Sequence, residues 1–142
     1  MTIATLHTDM RAAFRQAVLA ISGIPQEWAW EGKPYTPRDG VPFIRESFRA
    51  INSEPRAVGR GGTISHTMTG NLVLCFPPGA QGTLPVETAA GRILASMPPG
   101  TALVYGQNNG VVTKASRSPV ITEPNWLQVP VTLTILAYTA NL

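Results

Sequence analysis

Apolar residues recur at spacings of three and four between Thr5 and Ser22: Leu6, Met10, Ala13, Phe14, Ala17 and Ile21. That period predicts an amphipathic helix, with His7, Arg11, Arg15 and Gln16 mostly on its other faces. Thr2 or Thr5 is placed to cap it, Asp9 suits an early turn, and Gly23 with Pro25 ends it. A second stripe, Val86, Ala90, Ile93 and Met97, predicts a helix over 84–97. Pro85 suits its first turn, Glu87 lies near its positive end, and Pro98-Pro99 stops it. Gly91 inside that helix costs about 1 kcal/mol relative to Ala, a loss that close approach of helix to sheet would offset.

Elsewhere the period is two. EWAWE, Glu27 to Glu31, is short and aromatic-rich, as a strand is. Over 43–51, Ile44, Phe48 and Ala50 share one face with Glu46 as the exception, and Arg45, Ser47 and Arg49 share the other. Over 63–76, Ile64, Met68, Leu72, Leu74 and Phe76 alternate with polar residues. Gly70 interrupts this run and predicts a bulge or bend. Short strands are expected at 103–105 and 111–116, around GQNNG. The plainest strand is 126–138, where Leu127, Val129, Val131, Leu133, Ile135 and Ala137 line one face. Pro130 cannot donate to a ladder, so it predicts a sheet edge or a bulge.

The order α-β-β-β-α-β-β-β is too irregular for a doubly wound parallel sheet. It predicts an α+β fold, an antiparallel or mixed β-sheet with two helices packed on one face. The interior should include Phe14, Ile44, Phe48, Leu72, Leu74, Ile93, Val131 and Leu133. One domain over 1–142 is expected, with mobile loops near 32–42, 52–62 and 77–83, where prolines and glycines gather.

Composition narrows the class. The chain has 142 residues, and a chain of this size buries roughly 70% of its unfolded surface without staples. Charged residues are only 13%, against about 25% in ordinary domains. Such a sparse charge layer leaves surface that neighbouring subunits can cover. The net charge of +3 is spread along the chain, not clustered as a nucleic-acid patch would be. Cys75 is the only cysteine, which excludes an internal disulfide and fits a reducing cytoplasm. The longest apolar run, near 72–76, is far below the ~20 residues of a membrane span, and the N-terminus lacks a basic-then-apolar leader pattern. A soluble protein is expected, neither secreted by the usual route nor inserted in a membrane.

Candidate chemistry is thin. RAVGRGG, Arg56 to Gly62, has the Arg-x-x-Gly-x-Gly spacing of an acetyltransferase pyrophosphate loop. Such a loop needs a helix after it, so that backbone N–H groups cradle phosphate; here a β-like alternation follows. His7, His66 and Cys75 are the only soft metal ligands, and none stands at zinc-site spacing from another. His66 lies on an apolar strand face and reads as a hydrogen-bonded core histidine. Cys75 reads as half-buried and inert. Glu27 and Glu31 would lie about 13 Å apart on one strand face and read as solvated charges. Trp28, Trp30, Tyr35, Arg38, Phe43 and Arg45 could stack and hold single-stranded nucleic acid; the plainer reading is that the tryptophans plug the core or a subunit contact.

One stretch carries a family pattern: Trp30-Glu31, Tyr35, Pro37, Gly40 and Pro42-Phe43-Ile44-Arg45. It resembles the tail terminator proteins of long-tailed bacteriophages. Gly70-Asn71-Leu72 leading into a strand that ends in FPPGAQGT, and the late strand LQVPVTLTI, fit the same family. Asn often follows that Glu in the family, where Gly32 stands here. The resemblance implies an α+β subunit that assembles into a ring, commonly a hexamer. The ring would cap the head-proximal end of the tail tube, stop its polymerisation, and meet a neck or head-completion protein. It implies no catalytic residue, metal or cofactor, and DNA only in passage through the channel. Its place would be the virion tail and neck, and the host cytoplasm during assembly. The interface candidates are Trp30, Tyr35, Arg38, Phe43, Arg45 and Arg49, with a neighbour's Glu27, Glu31 or Asp39 as acceptors for Arg45 and Arg49. Alternatives are another head–tail connector or minor tail protein and, ranked lower, an acyl-CoA-dependent transferase.

Overall fold

The computed structural model describes residues 3–55 and 62–140. Helix α1 spans Ile3–Leu19 and α2 spans Leu84–Ser96. The strands are β1 (Trp28–Ala29), β2 (Phe43–Pro55), β3 (Thr63–Phe76), β4 (Ala102–Tyr105), β5 (Asn108–Arg117), β6 (Ile121–Thr122) and β7 (Leu127–Ala140). They form one sheet in the order β1-β2-β3-β7-β5-β4, with β6 paired to β7. β1 runs parallel to β2 and every other pairing is antiparallel. The sheet is therefore mixed, curls into a half-barrel, and carries both helices.

The core follows the alternation. Ile44, Phe48, Met68, Leu72, Leu74, Val129, Val131, Leu133 and Ile135 meet Phe14 and Met10 of α1 and Val86, Ala90 and Ile93 of α2, all essentially without exposure. Cross-strand pairs such as Leu72↔Val131 and Met68↔Ile135 set this register. A slip of one residue would turn the whole set outward. α1 reaches from β2, where Arg11 and Arg15 bond, to the β4–β5 turn, where Asn108 donates to Asp9 at 2.7 Å. That turn is a two-residue hairpin with Gly106 at φ +59, a conformation glycine adopts at little cost.

Several sequence expectations need correction. Gly70 causes no bulge: it pairs in register with Phe48 and Leu133. A Cβ there would lie 2.5 Å from the Phe14 ring, so the missing side chain makes room for α1. The register shift comes instead at Ile51, between Ala50 and Asn52. Ala50 is exposed, and β2 continues through Asn52–Pro55, the first part of the expected mobile connector. The rest of that connector, 56–61, lies outside the described residues. Gly91 faces open space, so helix–sheet approach does not explain it. Pro130 sits in a central strand, paired with Val73. Its carbonyl accepts from Ser118 N–H at 2.9 Å just past the end of β5, so its missing donor falls at the gap between β5 and β6. Thr5 lies inside α1, where it accepts from Asn108 instead of capping, and Thr2 is outside the described residues.

Candidate subunit interface

The Trp30-Glu31 segment is fastened to the rim of β2. β1 pairs with only Ile44 and Arg45, so the backbone of Phe48 beyond it would stay open, and unpaired edge groups invite foreign strands. Here Glu31 accepts the Phe48 N–H at 3.1 Å, and Arg11 donates to the Phe48 carbonyl at 2.7 Å. Arg11 also donates to Glu31 at 2.6 Å. One turn further along α1, Arg15 donates to both carboxylate oxygens of Glu46, at 2.8 and 3.0 Å. Glu46 in turn accepts the Glu31 N–H at 3.2 Å. The bond to Glu46 pushes Arg15 above the usual guanidinium range, though partial burial opposes it. Glu46, the residue that breaks the apolar alternation, is buried on the core face and holds helix, loop and strand together.

Three of the six interface candidates are held by aromatic contacts. Trp30 stacks on Trp28 with ring centroids 4.5 Å apart, and the Arg15 guanidinium lies 4.9 Å over Trp30. Phe43 is buried, with Tyr35 on one side and Trp126 edge-on at the other, each at 5.1 Å. These rings are occupied by protein contacts, as core-plugging residues are, and offer no open stack of bases. The Tyr35 hydroxyl is buried without a partner among the described residues, and burial pushes its pKa up.

The three arginines differ. Arg38 is paired with Glu27 in the same subunit. Arg45 and Arg49 are exposed on the face of the sheet that no helix covers, and neither has an ion pair among the described residues. Sequence reasoning missed Lys114, which the register brings opposite Thr134 in the row that also holds Arg49 and Thr69. Only strand pairing could reveal it. The same face is rich in hydroxyl and amide groups; Thr132 donates to Asn71 at 2.9 Å. Glu27 and Glu31 are not the solvated charges expected, because each is tied to an arginine.

The remaining candidates for chemistry fall into structural roles. His66 is buried between Ser53 and Thr139, with 2.7 Å to each hydroxyl, and burial lowers its pKa. Cys75 is fully buried, more than expected. Burial raises its thiol pKa, with Arg45 lowering it and Glu123 raising it to lesser extents. No group of three potential metal ligands occurs among the described residues. RAVGRGG joins two antiparallel strands, not a strand to a helix, and its residues 56–61 lie outside the described set. No described helix is long and apolar enough to cross a membrane.

A profile of the phage tail terminator protein family matches residues 9–134. The chain belongs to that family. Membership of the tail terminator family gives it a structural, non-enzymatic role in the virion tail, in assembly with other tail components. No curated protein matches it. Eighteen chains of solved structures do. One of them superposes with a TM-score of 0.65 at 23% identity, over 92% of this chain and 94% of its own, and so shares the fold.

Proposed function

We propose that this tail terminator acts as a closed ring, a hexamer by family resemblance. The ring caps the head-proximal end of the tail tube, stops its polymerisation and presents a surface to the neck or head-completion protein. DNA meets it only in passage through the channel. Subunits assemble in the host cytoplasm, and loops near 32–42 and 77–83 settle against neighbours as they do so.

The observation that carries this reading is the helix-free face. Both helices serve the opposite side, while Arg45 and Arg49 stand exposed without a paired carboxylate among the described residues of their own subunit. Arginine suits such a contact because its planar donors can hold a carboxylate in a bidentate way. A rim pair alone contributes only about 0–1 kcal/mol, but charge reversal repeats its repulsion at every joint. Arg45→Glu with Arg49→Glu should keep the subunit's circular dichroism and melting temperature yet lose control of tail length. Tails of wild-type length with this double variant would show that these arginines are ordinary surface charges.

A further inference from the structure

We propose that the ring joint is head-to-tail, with Asp39 and Glu123 of one copy docking against Lys33 and Arg45 of the next. This rests on the ring reading above and names its contact.

The charge inventory leads there. Of the eight carboxylates in the chain, Glu27, Glu31, Glu46 and Glu87 are each bound to an arginine of the same subunit. Asp9 accepts from Asn108 and Glu54 from Asn52. Asp39 and Glu123 remain, both exposed, and neither side chain has a hydrogen bond or ion pair among the described residues. On the positive side, Lys33, Arg45, Arg49, Arg92 and Lys114 are likewise exposed and without ion pairs among the described residues, and of these Lys33 and Arg45 line one groove.

Placement matters as much as number. Asp39 lines a cleft of about 480 Å³ with Pro37, Pro78, Pro124 and Trp126. Glu123 opens the turn on that rim, its N–H bonded to the Trp126 carbonyl at 3.0 Å. Lys33 and Arg45 line a groove of about 370 Å³ with Trp30 and Tyr35; Glu31 and Glu46 line it too, but each is already bound by an arginine of α1. Aromatic rings link the two sites: Trp126 borders the cleft of Asp39, Tyr35 borders the groove of Lys33 and Arg45, and Phe43 touches both rings. Within one subunit these unlike charges do not satisfy each other: no ion pair joins Asp39 or Glu123 to Lys33 or Arg45 among the described residues. They can do so between copies, and a head-to-tail contact closes into a ring when its rotation closes.

One detail suits the groove to a carboxylate, and another suits the cleft to docking. Tyr35 carries a buried hydroxyl without a partner among the described residues, a donor that an incoming acceptor would satisfy. The prolines of the cleft rim restrict the loops before docking, which reduces the entropy lost on association.

Two half-reversed full-length variants test the joint: Asp39→Lys with Glu123→Lys, and Lys33→Glu with Arg45→Glu. Each alone faces like charges at every joint, and its assembly midpoint should rise roughly tenfold or more by light scattering. An equimolar mixture of the two should assemble again, because every reversed patch then meets its opposite. Circular dichroism confirms that each variant is folded. Half-reversed variants that assemble like wild type, or a mixture that stays apart, would overturn the joint while leaving the ring intact. A wild-type chain that stays monomeric at every concentration would overturn the ring reading and the joint with it.

Discussion

Arg15 holds Glu46 through two parallel hydrogen bonds, Nε to Oε2 at 2.8 Å and Nη2 to Oε1 at 3.0 Å. The partners are unequally placed: the Glu46 side chain is 0% exposed and the Arg15 side chain 25%. Removing one partner therefore differs from removing the other. Without Glu46, Arg15 can turn toward water. Without Arg15, Glu46 stays buried with only the Glu31 N–H. Arg15→Met should cost about 3–5 kcal/mol, the usual loss for a stranded buried charge. Glu46→Gln should cost less, about 1.5–3 kcal/mol, close to the loss of charged hydrogen bonds. Urea unfolding of both variants checks the order.

Gly70 and Phe14 form a second coupled pair. Gly70→Ala pushes a methyl group into the ring, and overpacking of this kind costs about 1–3 kcal/mol. Phe14→Leu should itself destabilise the subunit, because Phe14 is fully buried. It should also relieve the clash, so the double variant should be more stable than the sum of the two single losses allows. A double-mutant cycle by thermal unfolding measures this coupling; additive losses would mean that the ring yields freely.

Burial lowers the pKa of both His66 and His7 below 6.5. At pH values between the lowered pKa and 6.5 the unfolded chain binds more protons than the folded one. Stability is then full above about pH 6.5 and falls as pH drops through that window. Ordinary carboxylates, with pKa values near 4, barely titrate there, so the loss just below about pH 6.5 reports the histidines. His66→Gln should flatten the profile of unfolding free energy against pH. A profile unchanged by that substitution would assign the loss elsewhere.

Much of the fold was legible in local pattern. The stripe from Leu6 to Ile21 and the alternation from Leu127 to Ala137 each report a buried face directly. Glu46 was visible as a break in the alternation, but not its meaning. Its partner lies on α1, and the crossing of helix over sheet decides which arginine arrives. The close approach expected at Gly91 occurs at Gly70 for a similar reason: a glycine signals a permitted close approach without naming the neighbour. Pro130 is tolerated in a central strand because β5 ends beside it, a coincidence of two distant chain positions. Two residues sufficed for β6, too few to leave a period. At the candidate interface, Arg45 and Arg49 were legible as a shared face. Glu27 and Glu31 were mistaken for available acceptors because their arginines, Arg38 and Arg11, come from a loop and a helix.

The most direct measurement is the mass of the purified chain by size-exclusion chromatography with light scattering, across a range of concentrations. A closed ring should elute as one species of about six times the 15.2 kDa chain mass, and Arg45→Glu with Arg49→Glu should shift it toward the single chain. A wild-type chain that runs at 15.2 kDa throughout would contradict self-assembly into a ring.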